Sequence, residues 1–369
     1  MTVPFTIQQN SPQHWAARTG AVAVLFAGIY YVYLTATTAT LQSVTEATII
    51  AIAAVALNLL LGFNGQISIG HSAFAGIASF VTGYTVSQWD WNPYQSLILS
   101  VVVCFGVGFL VGLPALRLKG PYLALVTLAV AFVWPTIAAQ FLEKKIDDTK
   151  LAGLRLDPPG WTGLEGNRAD RAIYMYWLGL LLLLVAYIVV RNLRKSRIGR
   201  SLVAVRDNET AAAVMGVNLR LTKTITFGIS AAIAGMAGWL FAAISDTIIP
   251  RNFLILQAII YLLALFLGGP ATYTGPIVGA FTYFFVDRYI RQNVPDWTFL
   301  PAIVQGGAIA PLLLSIVVIA FVFVAPFGLV GFFKTQGRRF MNVAPQPLSD
   351  PATARLQQHT SAATAAESE

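Results

Sequence analysis

The sequence is short of charged residues, and this shortage excludes a water-soluble fold. Only 11% of its 369 residues are Asp, Glu, Lys or Arg, whereas 56% are hydrophobic. A soluble domain carries roughly 25% charged residues. The few charges are also unevenly placed, because they leave eight long stretches that contain none: residues 19–45, 47–89, 91–116, 120–142, 172–190, 224–245, 252–286 and 297–333.

These uncharged stretches predict membrane-crossing helices, since a helix needs roughly 20 apolar residues to span the hydrocarbon core. The stretches 47–89 and 252–286 are too long for one crossing, and glycines interrupt them near Gly65 and near Gly269. Each therefore predicts two segments. The sequence predicts an all-α, polytopic integral membrane protein with about ten membrane segments, including short ones broken by glycine.

The chain also lacks the residue patterns that several kinds of chemistry require. The chain has no G-x-x-x-x-G-K-[ST] phosphate loop, no metal-ligand spacing and no nucleophile–base pair, so we expect neither an enzyme nor a metal or cofactor site. The uncharged stretches hold no carboxylate, with Glu46 at the edge of one, and this disfavours a proton-driven carrier. A sodium-coupled carrier remains open, because it can use neutral oxygens. The single cysteine, Cys104, excludes an internal disulfide.

The charged loops predict the orientation. Residues 191–223 hold eight basic and two acidic residues, which is typical of a cytoplasmic loop, whereas residues 143–171 hold six of each sign and fit an external loop. Ten segments then place both termini in the cytoplasm. We expect a cytoplasmic N-terminus over 1–18, a membrane domain over 19–333, and a disordered cytoplasmic tail over 334–369. The net charge of +8 thus reflects membrane topology, not a nucleic-acid surface.

Within the cytoplasmic loop, residues 207–216 predict a short capped helix. Asp207 or Asn208 can cap its N-terminus, Glu209 suits the positive end of the helix dipole, and Gly216 suits the C-terminal stop. Its centre is alanine, so a partner surface could approach closely. The helix could transmit motion from an ATPase, or it could pack on the membrane face of its own chain.

The two glycine-broken segments are candidates for a transport route, because broken helices at matching places point to the path in transporters built from repeats. Tight packing by small residues is the alternative. A lone histidine such as His71 is more typical of a structural hydrogen-bonding residue than of a ligand. The candidate path residues are Asn64, Gln66, Ser68, His71, Ser72, Gly268, Gly269 and Thr274.

Five stretches resemble one known family. They are NLLLGFNGQISIGHSAFAGIASF (58–80), LPALRLKGPYLALVTLA (113–129), SRIGRSLVAVRDNETAAAVMGVNLRLTK (196–223), LFLGGPATYTGPIVGA (265–280) and PFGLVG (326–331). In order and spacing, the chain resembles branched-chain amino acid ABC transporter permeases of the LivM type over about residues 44–333.

The resemblance implies a permease subunit of a bacterial inner-membrane importer for branched-chain or other apolar amino acids. It also implies a LivH-like second permease, two ATP-binding subunits that hydrolyse ATP, and an extracytoplasmic substrate-binding protein. It places ATPase coupling on Glu209, Ala212 and Gly216. The chain departs from the family pattern at residues 149–154 and at Phe132 or Val133. Transport of urea or a short-chain amide, or ion-coupled secondary transport, therefore stays open.

Overall fold

The computed structural model describes residues 5–8, 12–115, 121–145, 151–152, 156–293, 316, 320–321, 323, 325 and 328–344. By contact, these residues fall into two compact units, Ala36–Phe332 and the two chain ends, Met1–Thr35 with Phe333–Glu369. The helices are α1 Pro12–Thr35, α2 Thr38–Asn58, α3 His71–Trp89, α4 Pro93–Ala115, α5 Pro121–Lys145, α6 Arg168–Lys195, α7 Arg197–Asp207, α8 Glu209–Val214, α9 Leu219–Ile244, α10 Ile255–Gly268, α11 Gly275–Asn293 and α12 Gly328–Phe340.

The helical architecture confirms the all-α prediction, but the count of ten membrane segments is not confirmed. Six segments within the described residues are long and apolar enough to cross a membrane: Thr38–Phe63, Pro93–Pro114, Tyr122–Gln140, Arg168–Lys195, Leu219–Ile244 and Pro250–Gly268. Most of the predicted last segment, 297–333, lies outside the described residues.

The predicted boundary at Glu46 is wrong. α1 ends at Thr35, and Thr37 caps α2, since the Thr40 backbone N–H donates to Thr37 Oγ1 at 3.4 Å. Glu46 instead lies inside α2, where it interacts electrostatically with Arg288 of α11. A side-chain cap decides where the chain turns, whereas one charged residue does not interrupt a helix.

Two helices, α2 and α9, form the core of the larger unit, and most of their side chains are buried. α9 packs closely on α4 because small residues line the contact. A Cβ added at Gly112 would lie 3.1 Å from Phe227 Cβ, and one at Gly228 would lie 3.0 Å from the Phe105 ring. Small residues allow helix backbones to approach inside a membrane, where dispersion contacts drive association.

Contacts between loops show which loops share one end of the larger unit. Strand β2, Leu151–Ala152, pairs antiparallel with β3, Thr247–Ile248, so the loops 143–171 and 246–251 share one end of the larger unit. The hydroxyls of Tyr94 and Tyr174, near the starts of α4 and α6, bond to each other at the same end. α7 and α8 lie at the other end of α6.

In the smaller unit, strand β1, Phe5–Gln8, pairs in parallel with β4, Met341–Ala344. Within the predicted tail, residues 334–344 form the end of α12 and β4. The rest of the predicted tail, 345–369, lies outside the described residues.

Candidate functional site

The first break follows α2. The helix continues into a π-helical turn, Leu59–Phe63, and the backbone then unwinds over residues 65–70 before α3 begins at His71. Gly65 has φ +71°, a left-handed conformation that glycine adopts without steric cost. The structure therefore confirms the break predicted from the glycines of this stretch. π-Helical turns inside helices occur frequently at functional sites.

The second break separates α10 from α11 and is held by a turn of its own. Thr272 Oγ1 donates to the Gly269 carbonyl at 2.8 Å and accepts from the Gly275 N–H at 3.0 Å. Gly269 has φ +104°. Gly328, within the PFGLVG stretch, packs its backbone directly on Gly268 and Gly269, where a Cβ would collide. This contact requires glycine at position 328, whereas a Cβ at Gly268 would collide with the Gly275 backbone.

Asn58, the last residue of α2, joins the two breaks. Its Nδ2 donates to the Thr272 carbonyl at 2.7 Å, and the Ala271 N–H donates to its Oδ1 at 2.9 Å. Gly62 lies at the same contact, because a Cβ there would collide with Asn58 Oδ1 and Ala271 N. Asn58 is not among the candidates predicted from the sequence, although an amide in an otherwise apolar stretch next to a break is a usable signal.

An aromatic contact reinforces this junction. The centroids of the Phe63 and Tyr273 rings lie 5.7 Å apart. The guanidinium of Arg194, a residue of α6, lies 5.7 Å from the centroid of the Phe63 ring. Tilted rings at this separation attract each other beyond the burial of their surface, and a guanidinium over a ring face adds a cation–π attraction. The first break is thus packed between the second break and the end of α6.

The polar candidates of the first break are buried and mostly bonded to other protein groups. Asn64 Nδ2 donates to Gln66 Oε1 at 2.7 Å, and Ser68 Oγ lies 3.2 Å from His71 Nδ1. Within the described part of the chain, Asn64 Oδ1 and the hydroxyl of Ser72 are buried without a partner. Thr274, in the second break, is exposed, whereas Gly268 and Gly269 are buried.

His71 connects three helices. Its Nε2 lies 2.8 Å from Ser230 Oγ on α9, and that hydroxyl donates to the Ala56 carbonyl of α2 at 2.6 Å. The ring is 1% exposed. This geometry is that of a structural hydrogen-bonding residue, as the sequence analysis expects of a lone histidine. The sequence analysis did not single out Ser230, which lies in α9 far along the chain.

Arg206 connects the loop helices to the first break. Its Nη1 donates to the Gly62 carbonyl at 3.0 Å, and its Nη2 donates to Asp207 Oδ1 at 2.9 Å. Gly65 lies against the Arg206 side chain, because a Cβ there would lie 2.9 Å from Arg206 Cγ. The sequence analysis counted Arg206 only as loop charge, and the pattern of charges alone carries no sign of this contact.

The short helix predicted in the loop is confirmed as α8. Asn208, not Asp207, is its cap, since the Ala211 N–H donates to Asn208 Oδ1 at 3.0 Å. Glu209 Oε1 accepts from Lys223 Nζ at 2.6 Å, and this ion pair ties α8 to α9. Gly216, with φ +82°, follows the end of the helix.

One of the coupling candidates on α8 is buried, whereas its neighbours are exposed. Ala212 is only 4% exposed because it packs on its own chain, and Ala211 and Ala213 beside it face outward. Val214 and Met215, at the end of the helix, are 82% and 83% exposed. A partner would therefore meet a pair of apolar side chains at the tip of α8.

No group of three or more His, Cys, Asp or Glu side chains that could hold a metal ion occurs among the described residues. The site consists of backbone-to-side-chain bonds that connect α7, the two breaks and the core helices. Such an arrangement holds helices together, and the described groups form no catalytic constellation.

The comparisons agree with this geometry. A family model described as "Branched-chain amino acid transport system / permease component" matches residues 39–325. The proteins named "High-affinity branched-chain amino acid transport system permease protein LivM" from Escherichia coli and Salmonella typhimurium are each 28% identical over 262 residues, which cover 66% of this chain. The matched region spans 61% of the length of these two relatives.

A protein of Methanocaldococcus jannaschii named "Probable branched-chain amino acid transport permease protein LivH" is 23% identical over 288 residues, 74% of this chain and 85% of that relative. No solved structure matches the chain. The family model covers most of the chain, including both breaks and the loop helices. The chain is a multi-pass membrane protein and belongs to the family of permease components of branched-chain amino acid transport systems.

Proposed function

We propose that this chain is the permease subunit of an ATP-driven importer that moves branched-chain or other apolar amino acids across the bacterial inner membrane. The observation that carries the proposal is α8, a capped helix with an exposed apolar tip at Val214 and Met215, which directly follows α7, whose Arg206 bonds to the first break. The relatives are named as permeases of branched-chain amino acid transport, which supports this substrate class.

The partners follow from the same proposal. The chain would pair with a LivH-like permease and two ATP-binding subunits, and it would receive substrate from an extracytoplasmic binding protein. The exposed Val214 and Met215 suit a contact with an ATP-binding subunit, because exposed apolar side chains next to polar surface mark interaction sites. The ion pair between Glu209 and Lys223 would carry force from that contact into α9.

The orientation follows from the basic loop. Residues 191–223 would face the cytoplasm, since basic residues accumulate there. Both termini would lie on that side. The pairing of β1 with β4 supports a shared side for the two ends of the chain.

The route would run beside the two breaks. Unwound backbone at membrane depth requires protein or water as a hydrogen-bonding partner. In this arrangement Asn64, Gln66, Ser68, His71 and Ser72 are the polar groups near the first break, and Gly268, Gly269 and Thr274 border the second. Their neutral side chains suit weak contacts to a substrate whose selection occurs on a separate binding protein. The same route would also suit the transport of urea or a short-chain amide.

One observation favours a second candidate function, ion-coupled secondary transport. Glu46 lies inside α2, one turn from Ser43, which binds Arg288, and a carboxylate within a membrane segment is typical of proton-coupled carriers. In an ATP-driven importer, Glu46 and Arg288 would have a structural role.

Uptake by proteoliposomes that contain the complete transporter separates the two candidates. We expect uptake of a branched-chain amino acid to require internal ATP, and Met215→Asp to abolish it by placing a charge at the tip of α8. Ala204→Asp, at an exposed position of α7, is the matched control and should leave uptake unchanged. Uptake that follows an ion gradient without ATP would instead establish the carrier.

A further inference from the structure

We propose that Asn58 and Arg206 form a latch that holds the two breaks together, and that movement of α8 opens it through Arg206. The latch consists of Asn58, Gly62, Arg206, Ala271 and Thr272. This inference rests on the proposed function, because it assigns to residues of this chain the step between a partner's movement and the opening of the transport route.

The first arm of the latch is Arg206. Its guanidinium donates to the Gly62 carbonyl at 3.0 Å and is oriented by Asp207, whose Oδ1 accepts from Nε at 3.0 Å and from Nη2 at 2.9 Å. The Gly62 carbonyl lies in the π-helical turn, where the ordinary helical bonding pattern is already disturbed. A charged donor makes this bond stronger than one between neutral groups.

The second arm is Asn58. Its side-chain amide bonds both the Ala271 N–H and the Thr272 carbonyl, and so it clamps the second break to the end of α2. Gly62 lies between the two arms. A Cβ at this position would collide with Asn58 Oδ1 and with Ala271 N. A displacement of Gly62 therefore acts directly on the clamp.

Strain at Ala271 favours opening. Ala271 has φ +60°, in the left-handed region, where a residue with a Cβ is strained. Its N–H bond to Asn58 helps to hold it in this conformation. Once the clamp is released, the second break can relax to a lower-energy backbone. Strained residues of this kind persist only while their surroundings hold them in place.

The connection to α8 is short and stiff. α7 ends at Asp207 and α8 begins at Glu209, so only Asn208 separates the latch arginine's helix from the partner-facing helix. Asn208 also caps α8 through the Ala211 N–H. A partner that displaces the tip of α8 must therefore displace Arg206, three residues before the start of that helix.

The closed latch explains why the polar groups behind it are buried. Ser68 is 1% exposed and lies in the unwound segment between Gly65 and α3. When the Gly62 carbonyl loses Arg206 and Ala271 loses Asn58, the unwound segment is no longer anchored at its start and can move away from its contact with Thr127 of α5. Opening should therefore expose position 68 to water from the end of the molecule that carries α7 and α8.

Thiol labelling tests the latch directly. The full chain, assembled with its partner subunits, carries Cys104→Ala and Ser68→Cys, and membranes with that end accessible are treated with a water-soluble maleimide without nucleotide. Arg206→Ala should raise the labelling rate at position 68 about tenfold, because it removes a charge-assisted bond. Arg206→Lys, which can still donate to Gly62, should restore most of the protection. Arg200→Ala, on the exposed face of α7, is the matched control.

Each outcome decides the inference. An unchanged rate in Arg206→Ala, or an equal rise in Arg200→Ala, would overturn the latch. A rise in Arg206→Ala that Arg206→Lys reverses would support it. Asn58→Ala can fail to fold because it strands buried backbone groups, and for this reason Arg206 carries the test. Labelling needs neither transport nor ATP, so a latch that opens in a transporter driven by an ion gradient would refute the proposed function alone.

Discussion

The end of α8 allows a sharp prediction at Gly216. The N–H of Gly216 donates to the Ala213 carbonyl and that of Val217 to the Ala212 carbonyl, both at 3.0 Å, so the left-handed residue closes the helix. A Cβ added at Gly216 meets no described atom within 4 Å. A substitution there consequently acts through backbone strain and not through a clash with neighbours.

The magnitude follows from the φ of +82°. A residue with a Cβ pays roughly 1–2 kcal/mol in the left-handed region, and a β-branched residue pays at least as much. α8 has six residues, and a helix this short has little stability of its own. A cost of this size therefore lowers the ratio of closed to open helix about 5- to 30-fold. The core of the larger unit should keep its stability, because the position is exposed.

The assay compares substrate-stimulated ATPase activity of the complete transporter for Gly216→Val and Gly216→Asn. We expect Gly216→Val to reduce the stimulation at least fivefold, in line with the lower ratio of closed to open helix. Gly216→Asn should retain the stimulation, because Asn tolerates the left-handed region. Membrane levels and thermal unfolding should match those of the parent protein. Full stimulation in Gly216→Val, or equal losses for Val and Asn, would show that the conformation at Gly216 does not govern coupling.

Three further expectations concern stability and orientation. Glu209→Gln should cost roughly 3 kcal/mol in thermal unfolding, because it leaves the buried ammonium of Lys223 without its carboxylate, and adding Lys223→Met should recover most of the loss. Gly238→Ala should destabilise the protein by about 1–3 kcal/mol through collision with the α3 backbone, whereas Gly106→Ala, with open space around it, should be neutral or stabilising. A reporter active only outside the cytoplasm should be active in the 143–171 loop and silent at the C-terminus; the reverse would invert the topology.

Local chemistry explains which features the sequence could predict. The breaks near Gly65 and Gly269 and the stop at Gly216 depend on backbone conformations that glycine favours, so they are visible in the sequence itself. The cap at Asn208 is similarly local, although the sequence could not choose between it and Asp207. The start of α2 was missed because the cap at Thr37 lies in an uncharged stretch, where charge gives no signal.

Contacts between distant residues could not be predicted in the same way. Asn58 is hydrogen-bonded to Thr272, which lies 214 residues away in the sequence, and His71 to Ser230, which lies 159 residues away. Both pairs depend on how helices pack and on their rotation, which periodicity does not specify when a helix is apolar all round. The burial of Ala212 has the same origin, because it depends on the placement of α8 against its own chain.

The two interpretations of the glycine-broken segments, transport route and tight packing, are compatible in this structure. The bonds from Asn64 to Gln66 and from His71 to Ser68 and Ser230 hold the interior of the first break closed. Yet a buried hydroxyl at Ser72 and a buried oxygen at Asn64 lack partners within the described part of the chain, and such groups cost free energy until water or a substrate reaches them. A segment packed only for stability would gain from apolar residues at these positions. These polar groups lie near the contact between the two breaks, which consists of the few bonds of Asn58. This arrangement fits the proposed route if the route is sealed in one state and hydrated in another.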